Sequence, residues 1–422
     1  MNREIHVYAD WAGLGSVRRV GLLRVTTVRG KETFSFEYDE DWLASGSSWP
    51  LDPDLNLFTG PQYLSNDDRP NFGVFLDSSP DRWGRMLMQR REAWSARQEN
   101  RQPRHLAESD YLLGVHDAQR VGGLRFKENL EGPFLSDEAG MAAPPWTRLR
   151  ELEQASWMVQ ADDSTDDPSY TDWLRLLMAP GSSLGGARPK AGVCDENGHL
   201  WIAKFPARND DRDNAAWEMV AHQLAVSVGI NVPEARIERF GARHRTFMTK
   251  RFDRIVDANV QSRRHFASAM TMLGYRDGSD HSDGASYLEI AEILMRHGAT
   301  VDADLAELWR RIAFSICIHN TDDHLRNHGF CLAPHGWTLS PAYDLNPDPL
   351  GTGLSLNISE SDNSLSLNLA LEVAPLFRQS NDFAAHTIDQ IRDAVAGWRP
   401  IADSLEISKA EQERMSPAFV PA

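Results

Sequence analysis

The stretch Ile318-His-Asn-Thr-Asp-Asp-His-Leu-Arg-Asn-His-Gly-Phe330, with Tyr343-Asp344 downstream, constrains this chain more than any other. It reads as a catalytic loop. Asp322 and Asn327 stand five residues apart, and Asp344 follows 17 residues after Asn327. An acid, an amide and a second acid in this order suit phosphoryl transfer, whose transition-state charge is spread over oxygens. One carboxylate orients an attacking hydroxyl, while the amide and the second carboxylate hold a divalent cation. A D-x₄-N pair arises by chance in many long chains, so the surrounding sequence has to decide.

With 422 residues the chain is long enough for two or three domains with sizeable cores. Its 41% hydrophobic and 25% charged residues are the balance of an ordinary globular protein. The net charge of −17 argues against a broad basic surface for nucleic acid, so any DNA contact is expected to be local or through a partner. The N-terminus lacks a signal-peptide pattern, and no run approaches the roughly 18 apolar residues of a membrane span. A cytoplasmic protein without membrane contact is expected. Cys194, Cys317 and Cys331 form no C-x-x-C pair and read as buried thiols.

Alternating segments before residue 125 predict a small antiparallel sheet, and helices are expected over Asp81–Arg97, behind Pro80, and Leu106–Leu113. No chemical constellation stands out there, which predicts an accessory domain. The segment from about Phe126 to Asp167 is poor in periodicity and rich in Pro, Gly and acids, marking a boundary. Gly181-Ser-Ser-Leu-Gly-Gly-Ala-Arg-Pro-Lys190 then feeds a hairpin ending in Lys204. Backbone N–H groups in such a loop approach phosphates closely, and Lys204 adds a positive charge; a surface loop before an ordinary hairpin is the alternative. Asp213 or Asn214 caps a helix ending at Gly229, on which Glu218 either pairs with Lys204 or is simply solvated. After a second hairpin, Arg251-Phe-Asp-Arg254 is expected to end the sheet and turn the chain helical. Apolar spacing predicts helices over Tyr287–His297 and Leu305–Ile318, the second leading into the opening stretch. A further hairpin delivers Asp344, and the rest reads as packing.

Together, Ser183-Leu-Gly-Gly-Ala-Arg-Pro-Lys, Lys204-Phe-Pro, Arg251-Phe-Asp-Arg, Asn320-Thr-Asp-Asp-His-Leu-Arg-Asn and Pro341-Ala-Tyr-Asp-Leu resemble the HipA family of serine/threonine kinases, the toxins of bacterial toxin–antitoxin pairs. The resemblance covers nearly the whole chain. It implies an α+β, two-lobed protein-kinase-like fold with a small β-rich N-terminal domain (1–125), a kinase N-lobe (126–252) and a mostly helical C-terminal lobe (253–422). It implies that Lys204 binds ATP phosphates beside Glu218, Asp322 is the catalytic base, and Asn327 and Asp344 bind Mg²⁺. Ser183, Gly185 and Gly186 would form the phosphate loop. Lys250, Arg251 and Phe252 would line the adenine hinge through their backbone, with Tyr343 also in the nucleotide site.

Ser183 matches the serine that family members autophosphorylate, with Ser182 as the neighbouring candidate; a phosphate there would disrupt the loop by like-charge repulsion. His324 is expected to orient the catalytic loop through hydrogen bonds, and His328 to be a surface residue. The implied partners are a HipB-like helix-turn-helix antitoxin, DNA only through it, and a protein substrate, aminoacyl-tRNA synthetases being among those of the family. Arg188-Pro189 replaces the Gln-Glu of the best-known members, and the Arg263-Arg-His-Phe-Ala-Ser-Ala segment also differs. The rival readings are a small-molecule kinase, a pseudokinase co-repressor, and a metallohydrolase using His324 and His328, a pair with no Glu between them to act as base.

Overall fold

The computed structural model describes residues 2–46, 48–65, 68–135, 143–161, 169–178, 186–241, 243–257 and 260–419. The chain opens with β1 (Asn2–Ala9), β2 (Arg18–Val28) and β3 (Lys31–Tyr38), each of which turns alternate residues inward. Ile5, Val7, Leu23, Val25, Phe34 and Phe36 are buried in this way. Helix α1 (Glu40–Ala44) and the short β4 (Gln62–Tyr63) follow, and β5 (Leu124–Lys127) returns to pair with β1. The sheet order is β4-β3-β2-β1-β5, with every pair antiparallel. Between β4 and β5 lie α2 (Gly73–Asp77), α3 (Arg82–Gln98) and α4 (Glu108–Leu113). Asp81 caps α3 by accepting from the Gly84 N–H at 2.9 Å.

The segment 126–167 contains more order than its composition suggests. Helix α5 (Leu149–Val159) lies inside it, burying Leu149, Leu152, Ala155 and Val159 at helical spacing. With α6 (Tyr170–Met178) and α3 it packs on a second antiparallel sheet, order β6-β7-β9-β8. Its strands are β6 (Lys190–Cys194), β7 (Leu200–Lys204), β8 (Ala235–Glu238) and β9 (Thr246–Lys250). Trp83 and Leu87 of α3 share one core with Val193, Trp201 and Met248, so a helix from the expected accessory region supports the lobe of the Gly-rich loop. Phe247, next to Met248, points to the opposite face and packs on α7 (Asn214–Ser227). Asp213 caps α7 at Ala216, and Gly229 beyond it has φ +75°, a conformation that costs glycine least.

The sheet structure does not end at Arg254, as the sequence reading expected. β10 (Arg254–Asp257) pairs with β11 (Val260–Arg263), and β12 (Phe266–Ser268) joins β13 (Gly329–Ala333) and β14 (Gly336–Leu339). The arginines of this stretch masked its strands because their charges are satisfied by distant parts of the chain, described below. The helical lobe comprises α8 (Ala269–Leu273), α9 (Tyr287–His297), α10 (Val301–Cys317), α11 (Leu367–Val373), α12 (Asn381–Ala396), α13 (Trp398–Ser404) and α14 (Lys409–Met415). α9 has the predicted limits and starts with a Ser286/Glu289 capping box. One continuous core joins the N-terminal sheet to α9, α10 and α12. Among the described residues, no helix is long and apolar enough to cross a membrane.

Candidate active site

Helix α10 buries Leu305, Leu308, Trp309, Ile312 and Ile316, and its end launches the polar loop from a fixed base. His319 turns the chain at φ 47°. Of the two adjacent acids, Asp323 points inward. It accepts from the Tyr287 hydroxyl at 2.6 Å, and His328 Nε2 lies 3.0 Å from its other oxygen. His328 is buried, which corrects its placement at the surface: its ring serves the loop's interior. Asp322 faces a cleft of about 650 Å³ together with His324, Asp344, Asn346 and Gly186. Burial, reinforced by the Asp344 and Asp323 charges, raises its pKa above the ordinary value despite nearby His324. Asn327 donates its amide to the Asp322 carbonyl at 2.9 Å, which ties the two ends of the motif together. His324 contributes to the loop through its backbone, donating to Asp322 O and accepting from Asn327 N. Its side-chain Nδ1 is buried and has no hydrogen-bond partner among the described residues.

The β13–β14 hairpin carries the chain to Asp344, at φ 61° in the left-handed region. Lys204 Nζ donates to Asp344 Oδ1 at 2.6 Å and to Glu218 Oε1 at 2.5 Å, so β7, α7 and the Asp344 loop meet at one ammonium. Of the two readings of Glu218, the pair with Lys204 is the one present. Burial opposes ionisation of Asp344, but the Lys204 ammonium outweighs it and holds the carboxyl well below the usual range. Burial alone would lower the Lys204 pKa, and the two carboxylates raise it, so the lysine stays charged. Asn346 adds a donor to Asp344 Oδ1 at 2.9 Å, and its own N–H is held by Asn320 Oδ1.

A Mg²⁺ ion bound with a nucleotide keeps few protein ligands, commonly one or two carboxylates, and takes the rest from phosphates and water. The residues fit this demand. Among the described residues Asn327 Oδ1 is buried without a hydrogen-bond partner, and Asp344 is held ionised by Lys204. Among the described residues no group of three or more His, Cys, Asp or Glu is placed to hold a metal ion.

Ser182, Ser183 and Gly185 lie outside the described residues. Gly186, where the description resumes, has φ +94° and passes so close to Lys190 that a Cβ would sit 3.2 Å from its Nζ. Lys190 escaped the sequence reading although it stood in a quoted motif. It is the cross-strand partner of Lys204, so both ammonium groups lie on one face of the hairpin, a pairing that the register across Asp195–Gly198 makes countable. Lys190 Nζ donates to Asp81 Oδ2 at 2.8 Å, and Arg188 makes a bidentate pair with Asp210.

At the hinge, the Lys250 N–H is taken by Glu234 O and the Arg251 N–H by Leu200 O. The Arg251 side chain turns away from the cleft toward Gln119 and Asp253. Phe252 and Tyr343 remain against a small recess of about 30 Å³ with Ile202, Pro233 and Lys204, their rings 5.6 Å apart.

Residues 182–398, just over half of the chain, match the sequence model of the HipA-like C-terminal domain. The chain belongs to this HipA-like family. A putative kinase of Haemophilus influenzae is 26% identical over 179 residues, which span 39% of this chain and 52% of the relative. The chain therefore spans about half the length of that protein. A second relative, putative kinase Y4dM of Sinorhizobium fredii, is 30% identical over 315 residues, 64% of this chain and 74% of its own. Among solved structures, Shewanella oneidensis HipA, described in complex with HipB and operator DNA, aligns with a TM-score of 0.65 at 17% identity, covering 98% of this chain and 95% of its own. That likeness extends the HipA-like fold over the N-terminal sheet as well as both lobes.

Proposed function

We propose that this HipA-like protein is a serine/threonine protein kinase that transfers the γ-phosphate of ATP to a protein hydroxyl, acting as the toxin of a toxin–antitoxin pair. The observation that carries the reading is the convergence of Lys204, Glu218, Asp322, Asn327 and Asp344 from four separate parts of the chain, with Asp322 and Asp344 lining one cleft. In this reading Lys204, held by Glu218, turns its charge to the ATP phosphates. Phe252 and Tyr343 flank the base, with the Phe252 N–H as the hinge donor in place of Arg251, whose own N–H is taken by Leu200 O. Asn327 Oδ1 and Asp344 hold Mg²⁺, which neutralises charge on the phosphates when bound.

Asp322 accepts the proton of the substrate hydroxyl as its oxygen bonds to phosphorus and the bond to the ADP oxygen breaks. The ordinary function of a buried, hydrogen-bonded Asp323 is to keep Asp322 aimed. Ser183, or Ser182 beside it, is the proposed self-phosphorylation site that switches the protein off. A HipB-like antitoxin is the proposed partner, with DNA reached through it, and a translation component such as an aminoacyl-tRNA synthetase is the proposed target.

Phosphoproteomics after brief expression tests this reading. Wild type should raise phosphorylation at one or a few serines or threonines of a cellular protein, and Asp322→Ala should not. The absence of any site that depends on Asp322 would overturn it.

A further inference from the structure

Beside the cleft, where the N-terminal region meets the helical lobe, lies a second cavity of about 190 Å³ lined by Arg69, Arg82, Arg85, Arg276 and Arg326. Five arginines around one small cavity are unexpected in a chain of net charge −17. Among the described residues three acids line it, and each is already engaged. Glu108 grips Arg85 through two bonds of 2.6 and 2.7 Å. Asp81 accepts from Lys190, and Asp277 is shared between Arg82 at 3.2 Å and Arg326 at 3.4 Å.

Arg69 and Arg276 both keep unused donors. Arg69 is 4% exposed; its Nη2 contacts Asp54, yet among the described residues Nε and Nη1 have no hydrogen-bond partner, and Nη1 comes only within 4.0 Å of Asp52. Buried donors left unmatched are costly, and an arginine fork is shaped for an oxyanion. Arg276 is exposed and makes no ion pair among the described residues. The cavity also opens onto the catalytic cleft, since Arg82, Met270, Arg276, Asp277 and Arg326 line both. The Arg82 charge is felt by Asp322 itself.

We propose that this cavity receives an anionic side chain of the protein substrate, a carboxylate or a phosphate, while the substrate hydroxyl sits at Asp322. The proposal rests on the phosphotransfer reading and names the substrate class for it: segments with an acidic or already phosphorylated residue near the acceptor. Arg276 supplies the first fork, and Arg69 the donors at the buried wall.

The test uses the full chain with ATP and Mg²⁺ on a set of serine peptides carrying Glu, phosphoserine, Ala or Lys at each position around the acceptor. At one position, Glu or phosphoserine should raise kcat/KM about five- to tenfold over Ala, mainly through KM, and Lys should lower it. The larger of the two effects identifies whether carboxylate or phosphate is the natural group. Arg276→Glu, at an exposed position, should reverse the preference toward Lys, and Arg276→Lys should retain most of it. Transfer with no anionic preference at any position, or with a preference that Arg276→Glu leaves unchanged, overturns this proposal alone. No transfer to any peptide or to the protein itself overturns the phosphotransfer reading and this proposal with it.

Discussion

Asp322 and Asp323 are neighbours with opposite surroundings, and the difference sets what each substitution should do. Asp323 is enclosed by Tyr287 and His328, so Asp323→Ala strands two buried polar groups. A stability loss of about 1–3 kcal/mol is expected, read as a lower urea midpoint with an unchanged slope. The Asp322 carboxylate makes no such bonds among the described residues and faces the cleft, so Asp322→Asn should leave the midpoint nearly unchanged while lowering kcat by roughly 10²–10⁴-fold. The pH dependence follows from the same geometry. Burial and two neighbouring carboxylates raise the Asp322 pKa, and a general base works only when ionised. Activity should therefore fall as pH drops through that raised pKa, with the acid limb of kcat/KM above the ordinary aspartate value of about 4. A limb at or below pH 4 would contradict Asp322 as the base.

Among the elements, α7 depends on a part of the chain that its own sequence does not reveal. Glu411 of α14 accepts from the Trp217 indole at 2.9 Å and from the Asp213 N–H at 3.1 Å, and Trp217 packs against Trp398 and Phe419. The C-terminal helices, read from sequence as packing without chemistry, thereby hold the helix that presents Glu218. Glu411→Ala should cost about 1–3 kcal/mol and raise KM for ATP severalfold, because α7 loses a tether at the end nearest Glu218. An unchanged KM with reduced stability would limit Glu411 to packing. The helices α7, α9 and α10 and the hairpins around Lys204 and Asp344 were legible because period, caps and turns are local signals. Helix α5 was not, since prolines and acids on either side diluted its pattern. The β10–β11 hairpin was hidden because its charged residues are matched only across long sequence distances, as Asp253 with Gly122 shows. Lys190 was legible only once the hairpin register was counted.

Across the whole molecule, Asp253 joins the N-terminal region to the hinge. Its carboxylate accepts from the Gly122 N–H at 2.9 Å and is gripped by Arg251 and Arg254, whose guanidinium groups also bind carbonyls of Ala118, Gln119, Arg120 and Gly122. Burial alone would raise the Asp253 pKa, but the two arginines outweigh it and hold it far below the usual range. The stabilisation this gives is present above the unfolded-state pKa and is lost as pH falls through the folded one. Asp253→Ala leaves two buried cations unpaired and should cost about 3–5 kcal/mol. A loss under 1 kcal/mol would show that the N-terminal region is not structurally tied to the hinge.

The central claim is that this assembled cleft moves a phosphate, and labelling with γ-phosphate-labelled ATP and Mg²⁺ tests it most directly. Purified wild type should label itself, with the phosphate mapping to Ser183 or Ser182, and Asp322→Ala should incorporate none while remaining folded and able to bind ATP. Wild type that binds ATP and Mg²⁺ yet labels neither itself nor any protein of a cell lysate would contradict it.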